Sequence, residues 1–211
     1  MSHLDTEIHR LREELIEMQR VTRTQIAKSR DALFGFDRDL AREVIENERI
    51  VNAIELKIDR DCENILALFQ PVAVDLRFVL ATLKINSNLE RIGDNVEGIA
   101  RYVLDVDHPF RGELLAEYRV EEMYQIAISM VDDTMFALLK EDTALARKVF
   151  FKDDTLDEIN KEAARLTLKS IAENRPDPKH YLNALSIIRK LERVGDQTKN
   201  IAEEIIFFIE A

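Results

Sequence analysis

Cysteine, glycine, proline, net positive charge and long apolar runs are all scarce or missing in this sequence, and each scarcity excludes something. One cysteine, Cys62, cannot close an internal disulfide. Five glycines and four prolines in 211 residues are fewer than half of what average usage of roughly 7% and 5% would supply, a profile that suits long helices. Pro71, Pro109, Pro176 and Pro178 avoid the periodic segments, as they must where an interior proline costs a helix ~3 kcal/mol. The longest C-terminal apolar run, IIFFI at 205–209, is far short of the ~20 residues of a membrane span, so it reads as core and no membrane insertion is expected. The formal net charge is −11, and no basic stripe with interleaved aromatics is present, which argues against a nucleic-acid partner. The N-terminal MSHLDTEIHRLREEL lacks the apolar stretch of a signal peptide; together with the lone cysteine, this makes a cytoplasmic protein the expectation.

What is abundant is periodic. Hydrophobic residues make up 46% of the chain and charged residues 34%, enough for one sizeable core or two small ones. Apolar positions at three- and four-residue spacing predict helices over 4–34, 37–69 and 72–106, and again over 113–140, 142–174 and 178–209. The sequence DHPFRGE interrupts the pattern midway, and ENRPDP separates the last two segments.

The two halves match each other. DRDLAREVIENERIVNAIE (37–55) aligns without a gap on DTALARKVFFKDDTLDEIN (142–160), pairing Leu40 with Leu145, Val44 with Val149 and Glu48 with Asp153. NLERIGDNVEGIA (88–100) aligns on KLERVGDQTKNIA (190–202). The small difference in register between the two matches falls in connecting loops, where length changes cost little. An all-α protein of two tandem three-helix bundles follows, the first over residues 1–107 and the second over 113–211, related by internal duplication.

Within the repeated third helix, Leu89, Ile92, Val96, Ile99 and Val103 form a bundle seam, as do Leu191, Val194, Thr198, Ile201 and Ile205 in its copy. Glu90 and Asp94 therefore share a neighbouring stripe one turn apart, and so do Glu192 and Asp196. Like charges at this spacing cost roughly 0.2–0.5 kcal/mol, and the interior Gly93 and Gly195 each cost ~1 kcal/mol relative to alanine. An acidic helical chain produces such pairs by chance: Glu13 and Glu17, Asp39 and Glu43, Glu117 and Glu121 are also four apart. The glycines equally serve close helix approach. Chance does not account for a second polar pair on each duplicated second helix, Glu48 with Asn52 and Asp153 with Asp157. Each repeat can then gather four oxygen-bearing side chains from two helices, a donor set suited to Mg²⁺, Mn²⁺ or iron and less to Zn²⁺.

The histidines show no arrangement of the buried di-iron kind, and His180 reads as a turn residue near a helix start. Cys62 reads as core filling. Phosphate-binding loops, zinc-protease motifs and nucleophile triads are not written in the sequence, so no catalytic residue is assigned.

The chain resembles the PhoU family of phosphate-uptake regulators over essentially its whole length, through QPVAVDLR (70–77), LERIGDNVEGIA (89–100), LERVGDQTKNIA (191–202), LARKVFFKDDTLDEI (145–159) and the opening HLDTEIHRLREELIEM. The resemblance implies two three-helix bundles with multinuclear metal clusters on acidic pairs, carried here by Glu48, Asn52, Glu90 and Asp94 in the first repeat and Asp153, Asp157, Glu192 and Asp196 in the second. It also implies a non-enzymatic adaptor that represses phosphate-starvation signalling. The implied partners are the ATPase of the phosphate ABC transporter and the membrane sensor histidine kinase of the phosphate two-component system, with a homodimer as the expected assembly. The chain departs from the family pattern where His commonly follows the motif Asp, having Asn95 and Gln197 instead, and where Gly98 and Arg101 replace a common Asn and Glu. Two other readings stand beside this one: an accessory subunit of another phosphate or anion transporter, and a hydrolase using carboxylate-bound metal. Because Asp157 replaces Asn52, counting ligand charge predicts tighter metal binding in the second repeat.

Overall fold

The computed structural model describes residues 3–211, which contain helices and no strand. Six long helices, α1 (His3–Gly35), α2 (Arg38–Phe69), α3 (Ala73–Asp105), α5 (Val120–Lys140), α6 (Thr143–Ala172) and α7 (Pro178–Glu210), are joined by short turns, with a brief α4 (Gly112–Glu117) at the midpoint. Helices α1–α3 form one bundle and α5–α7 the other. The bundles lie side by side, α3 packed along α7 and α1 along α5, while α2 and α6 take the flanks.

The duplication extends to local capping chemistry. Asp37 accepts hydrogen bonds from the N–H groups of Asp39 and Leu40 at the start of α2, and Asp142 accepts one from Leu145 at the start of α6. Each satisfies a donor that a helix N-terminus otherwise leaves unpaired. The chain reverses after α1 at Phe36, which adopts a left-handed conformation with φ of 48°.

The predicted seams are the core. Leu89, Ile92, Val96, Ile99 and Val103 are all fully buried, as are Leu191, Val194, Thr198, Ile201 and Ile205. Cys62 is buried, and burial pushes its thiol up to about 12, so it is an inert packing residue. In the IIFFI run, Ile205 and Phe208 are buried while Phe207 is exposed. Polar ties also cross between the bundles: Arg30 pairs with Glu121 at 2.7 Å, Arg23 with Asp132 at 3.0 Å, and the Ser29 and Tyr124 hydroxyls meet at 3.1 Å in the interior.

Two expectations are corrected. The segment 113–140 is not one helix, because Arg119 adopts φ of 54° and divides α4 from α5. Tyr118 is buried there, its hydroxyl 2.6 Å from Thr167 on α6, and Leu114 and Leu115 are buried with it. Burying these three side chains holds the bend, which has no glycine or proline to announce it. His180 is not a turn residue either. It lies in the first turn of α7, only 3% exposed, its ring packed at a tilt with centroids 4.4 Å from His108 and 4.8 Å from Phe110.

Candidate metal centre

The long amphipathic faces of α2 and α3 fix the first cluster. Val51 and Ile58 turn α2 toward the core, and this rotation carries Glu48, one turn before Val51 on the inward side, under α3. Glu48 is only 8% exposed. Gly93 makes room for it: a Cβ at that position would lie 2.8 Å from Glu48 Oε2 and 3.1 Å from Val51 Cγ1. The glycine that costs α3 helical propensity is what lets α2 approach at the acidic pair.

Glu48, Glu90 and Asp94 each bring one carboxylate oxygen into a group whose members all lie within 4.8 Å of one another. Burial grades outward, from buried Glu48 through half-buried Glu90 to exposed Asp94. Among the described residues none of the three carboxylates forms an ion pair, and Glu48 Oε1 is buried without a hydrogen-bond partner. Burial, then the negative charges of Asp94 and Glu90, push the Glu48 carboxyl up to about 8, so it is mostly protonated at neutral pH. Glu90 is raised as well, by burial and then by Asp94. Glu55, seven residues after Glu48 on the same face of α2, is raised by burial and by Asp59 and Asp94.

The second repeat uses the same helix positions and builds something different. Asp153 on α6 is 3% exposed, and a Cβ on Gly195 would overlap Leu156 Cδ1 and lie 3.3 Å from Asp153 Oδ1. Here the ammonium of Lys199 on α7 bonds Asp153 Oδ2 and lies 3.4 Å from Asp196 Oδ1. Burial raises the Asp153 carboxyl, and Lys199 opposes that rise. Glu192 is raised by burial, then by Asp196 and Asp157. The position aligned with Lys199 in the first repeat is Glu97, whose carboxylate turns away to Arg101 at 2.5 Å.

The structure thus gathers Glu48, Glu90 and Asp94 into one three-carboxylate group. Asn52 and Asp157 are half-buried on the facing helices and complete no comparable group among the described residues. One residue that shapes the first site, Glu55, escaped the sequence reading, and Lys199, read as flanking the second site, enters it. Glu55 was findable, since positions 48, 52 and 55 repeat at helical spacing, and its aligned partner is Asn160. With both included, each repeat presents four carboxylates and one amide, so the charge advantage expected for the second repeat vanishes. Lys199 was visible in the motif, but sequence does not say that its side chain turns into its own cluster while Glu97 turns away.

Duplicated helical bundles that face acidic side chains on their second and third helices toward each other define a class of tandem-repeat proteins with oxygen-donor clusters. The PhoU domain model matches residues 15–103 and again 120–205, and the chain belongs to the PhoU family. Among its relatives is the phosphate-specific transport system accessory protein PhoU homolog of Aquifex aeolicus, 34% identical over 89% of this chain and 84% of that protein. The Escherichia coli accessory protein PhoU is 30% identical over 97% of this chain and 84% of its own length. The crystal structure of PhoU from Pseudomonas aeruginosa superposes with a TM-score of 0.91 at 31% identity, covering 98% of this chain and 99% of that one. The phosphate transport system regulatory protein PhoU from Streptococcus pneumoniae gives 0.88 at 27% identity, over 98% and 96%. No helix among the described residues is long and apolar enough to cross a membrane.

Proposed function

We propose that this protein is a non-catalytic accessory factor of phosphate transport, a metal-binding adaptor that represses phosphate-starvation signalling and modulates uptake. It does so by linking the ATPase of the phosphate ABC transporter to the sensor histidine kinase. The observation that carries the reading is the match of both repeats to one family whose relatives are named accessory and regulatory proteins of phosphate transport, not enzymes. Deleting the gene is expected to raise phosphate-starvation gene expression in phosphate-rich medium. Unchanged expression would favour instead an accessory subunit of another phosphate or anion transporter.

The metal part of the reading rests on the first repeat. The orphaned Glu48 oxygen and the converging Glu90 and Asp94 fit a hard cation such as Mg²⁺, Mn²⁺ or iron, with zinc a weaker match to an all-oxygen set. Glu48, Glu90 and Asp94 would hold the ion, with Glu55 and Asn52 beside them. When bound, the cation supplies the positive charge that these carboxylates lack and so joins α2 to α3. In its absence Glu48 retains a proton, which limits the repulsion among the three groups. Metal uptake should therefore release a proton near neutral pH, and affinity should climb with pH up to about 8. Proton release measured in weakly buffered solution during Mn²⁺ titration tests this, and no release at pH 7 would contradict it. In the second repeat Lys199 already supplies a positive charge, so we assign tighter metal binding to the first.

A further inference from the structure

Helices α3 and α7 are aligned copies that pack on each other, so the register that pairs Glu90 with Glu192 gives every residue at their interface a counterpart. Departures from that symmetry are informative. At one end the helices are latched: Asn200 Nδ2 donates to Asn88 Oδ1 at 3.3 Å, and Lys84 pairs with Glu204 at 2.9 Å. The counterparts at the other end are Gly98 with Lys190 and Tyr102 with Ser186, which repeat neither tie. There the interface opens into a cavity of about 520 Å³ lined by Gly98, Arg101, Tyr102, Leu104, Asp105 and Lys190.

That cavity continues into a groove of about 740 Å³, with which it shares Gly98, Arg101 and Lys190. Four cations line the groove: Arg91, its repeat counterpart Arg193, Lys190 and Arg101. Three acids, Asp94, Glu97 and Asp196, line it as well. Glu97 is bound to Arg101, Asp196 lies 3.4 Å from Lys199, and Asp94 belongs to the carboxylate group with Glu48. Arg91, Lys190 and Arg193 make no ion pair among the described residues, in a protein whose net charge is −11. Lys190 is also positioned: its stem lies across Gly98, where any Cβ would overlap its Cε and Nζ. Gly98 stands where the second repeat has Asn200, so this seat exists on one side only.

We propose that the groove between α3 and α7 is a binding site for a phosphate-class dianion, inorganic phosphate or a small phosphomonoester, held by Arg91, Arg193 and Lys190. Two guanidinium groups offer planar forks that match a tetrahedral oxyanion, and the ammonium adds a point charge. The opening at the Gly98 end provides the way in. The three cations hold the anion without a bound metal, and Asp94 borders both this groove and the carboxylate group.

The test is titration of metal-free, chelator-treated full-length protein with inorganic phosphate at pH 7.5 and constant ionic strength, followed by NMR of the arginine side-chain N–H groups. A second arm uses glycerol 3-phosphate. Saturable shifts of Arg91 and Arg193 are expected. Arg91→Gln with Arg193→Gln should weaken binding at least about tenfold, since each lost charge-assisted hydrogen bond is worth more than a typical neutral one. Gly98→Ala, which displaces Lys190, should weaken it about threefold at unchanged helical content. Binding of phosphate alone assigns the free ion, and binding of both assigns the phosphomonoester class. Should the arginine pair not fold, Lys190→Gln replaces it, with the same direction expected. Absence of saturation at 20-fold excess over millimolar protein, or unchanged affinity in the variants, overturns the proposal.

Discussion

The two carboxylate clusters occupy equivalent places on duplicated helices and solve the same electrostatic problem differently. In the first, Glu48, Glu90 and Asp94 converge without an ion pair among the described residues, and burial with mutual repulsion drives the Glu48 carboxyl up to about 8. In the second, Asp153 is at least as buried, yet Lys199 bonds it and approaches Asp196. A single exchange, Glu97 for Lys199, thus separates a cluster open to an external cation from one that carries its own. Duplication preserves helices, seams and caps because packing demands them. It leaves the charge inside each cluster free to diverge.

The largest expected effect comes from removing the buried acid. The folded-state value of Glu48, about 8, lies above the ordinary glutamate value of 4.5, so the native state binds the extra proton between them. Stability is then full below the unfolded value and is lost as pH rises through about 8. In metal-free protein, Glu48→Gln should flatten that decline and stabilise the fold at pH 9 by on the order of 3 kcal/mol, with little change at pH 5. Urea denaturation at both pH values checks it, and an equal effect at the two would detach Glu48 from the pH dependence.

Lys199→Met should come next. It strips the cation from a buried Asp153, and should destabilise the metal-free protein by about 2 kcal/mol, less than a fully buried pair because Lys199 is partly exposed. Added Mn²⁺ should recover part of the loss. The aligned change in the first repeat, Glu97→Met, removes only a surface pair with Arg101 and should cost less than about 0.5 kcal/mol. Thermal melts with and without Mn²⁺ distinguish the two, and equal losses would mean that Lys199 is no more than a surface partner.

A smaller contrast lies in the glycines. Alanine at Gly93 crowds Glu48 Oε2, whereas alanine at Gly195 crowds chiefly Leu156. Each change gains helical propensity of ~1 kcal/mol, which offsets the overlap and leaves net stability within about 1 kcal/mol of the starting protein. Metal affinity should fall for Gly93→Ala and not for Gly195→Ala, as measured by competition with a weak chelator.

Much of this was legible beforehand because periodicity reports burial directly. The seam residues from Leu89 to Val103 and from Leu191 to Ile205 are buried as their spacing requires, and both repeats match the family. The break at Arg119 was not legible, since the burial of Tyr118 against α6 depends on a residue far along the chain, Thr167. His180 was misread for the same reason: its burial comes from His108 and Phe110, across the connection between repeats. At the candidate site, spacing located the acidic helix faces and the role of Gly93 in close approach. It did not reveal where Lys199 points, because a long flexible side chain chooses among partners in space and not along the helix.

The most direct test of the account compares metal retention in two paired variants. Protein purified without chelator, reloaded with Mn²⁺ and dialysed equally against a weak chelator is assayed by elemental analysis as wild type, as Glu90→Ala with Asp94→Ala, and as Glu192→Ala with Asp196→Ala. The first pair should lose most of the bound metal while the second retains most of it. Equal losses, or greater loss from Glu192→Ala with Asp196→Ala, would contradict the claim that Lys199 supplies the second cluster with positive charge and leaves the first as the metal site.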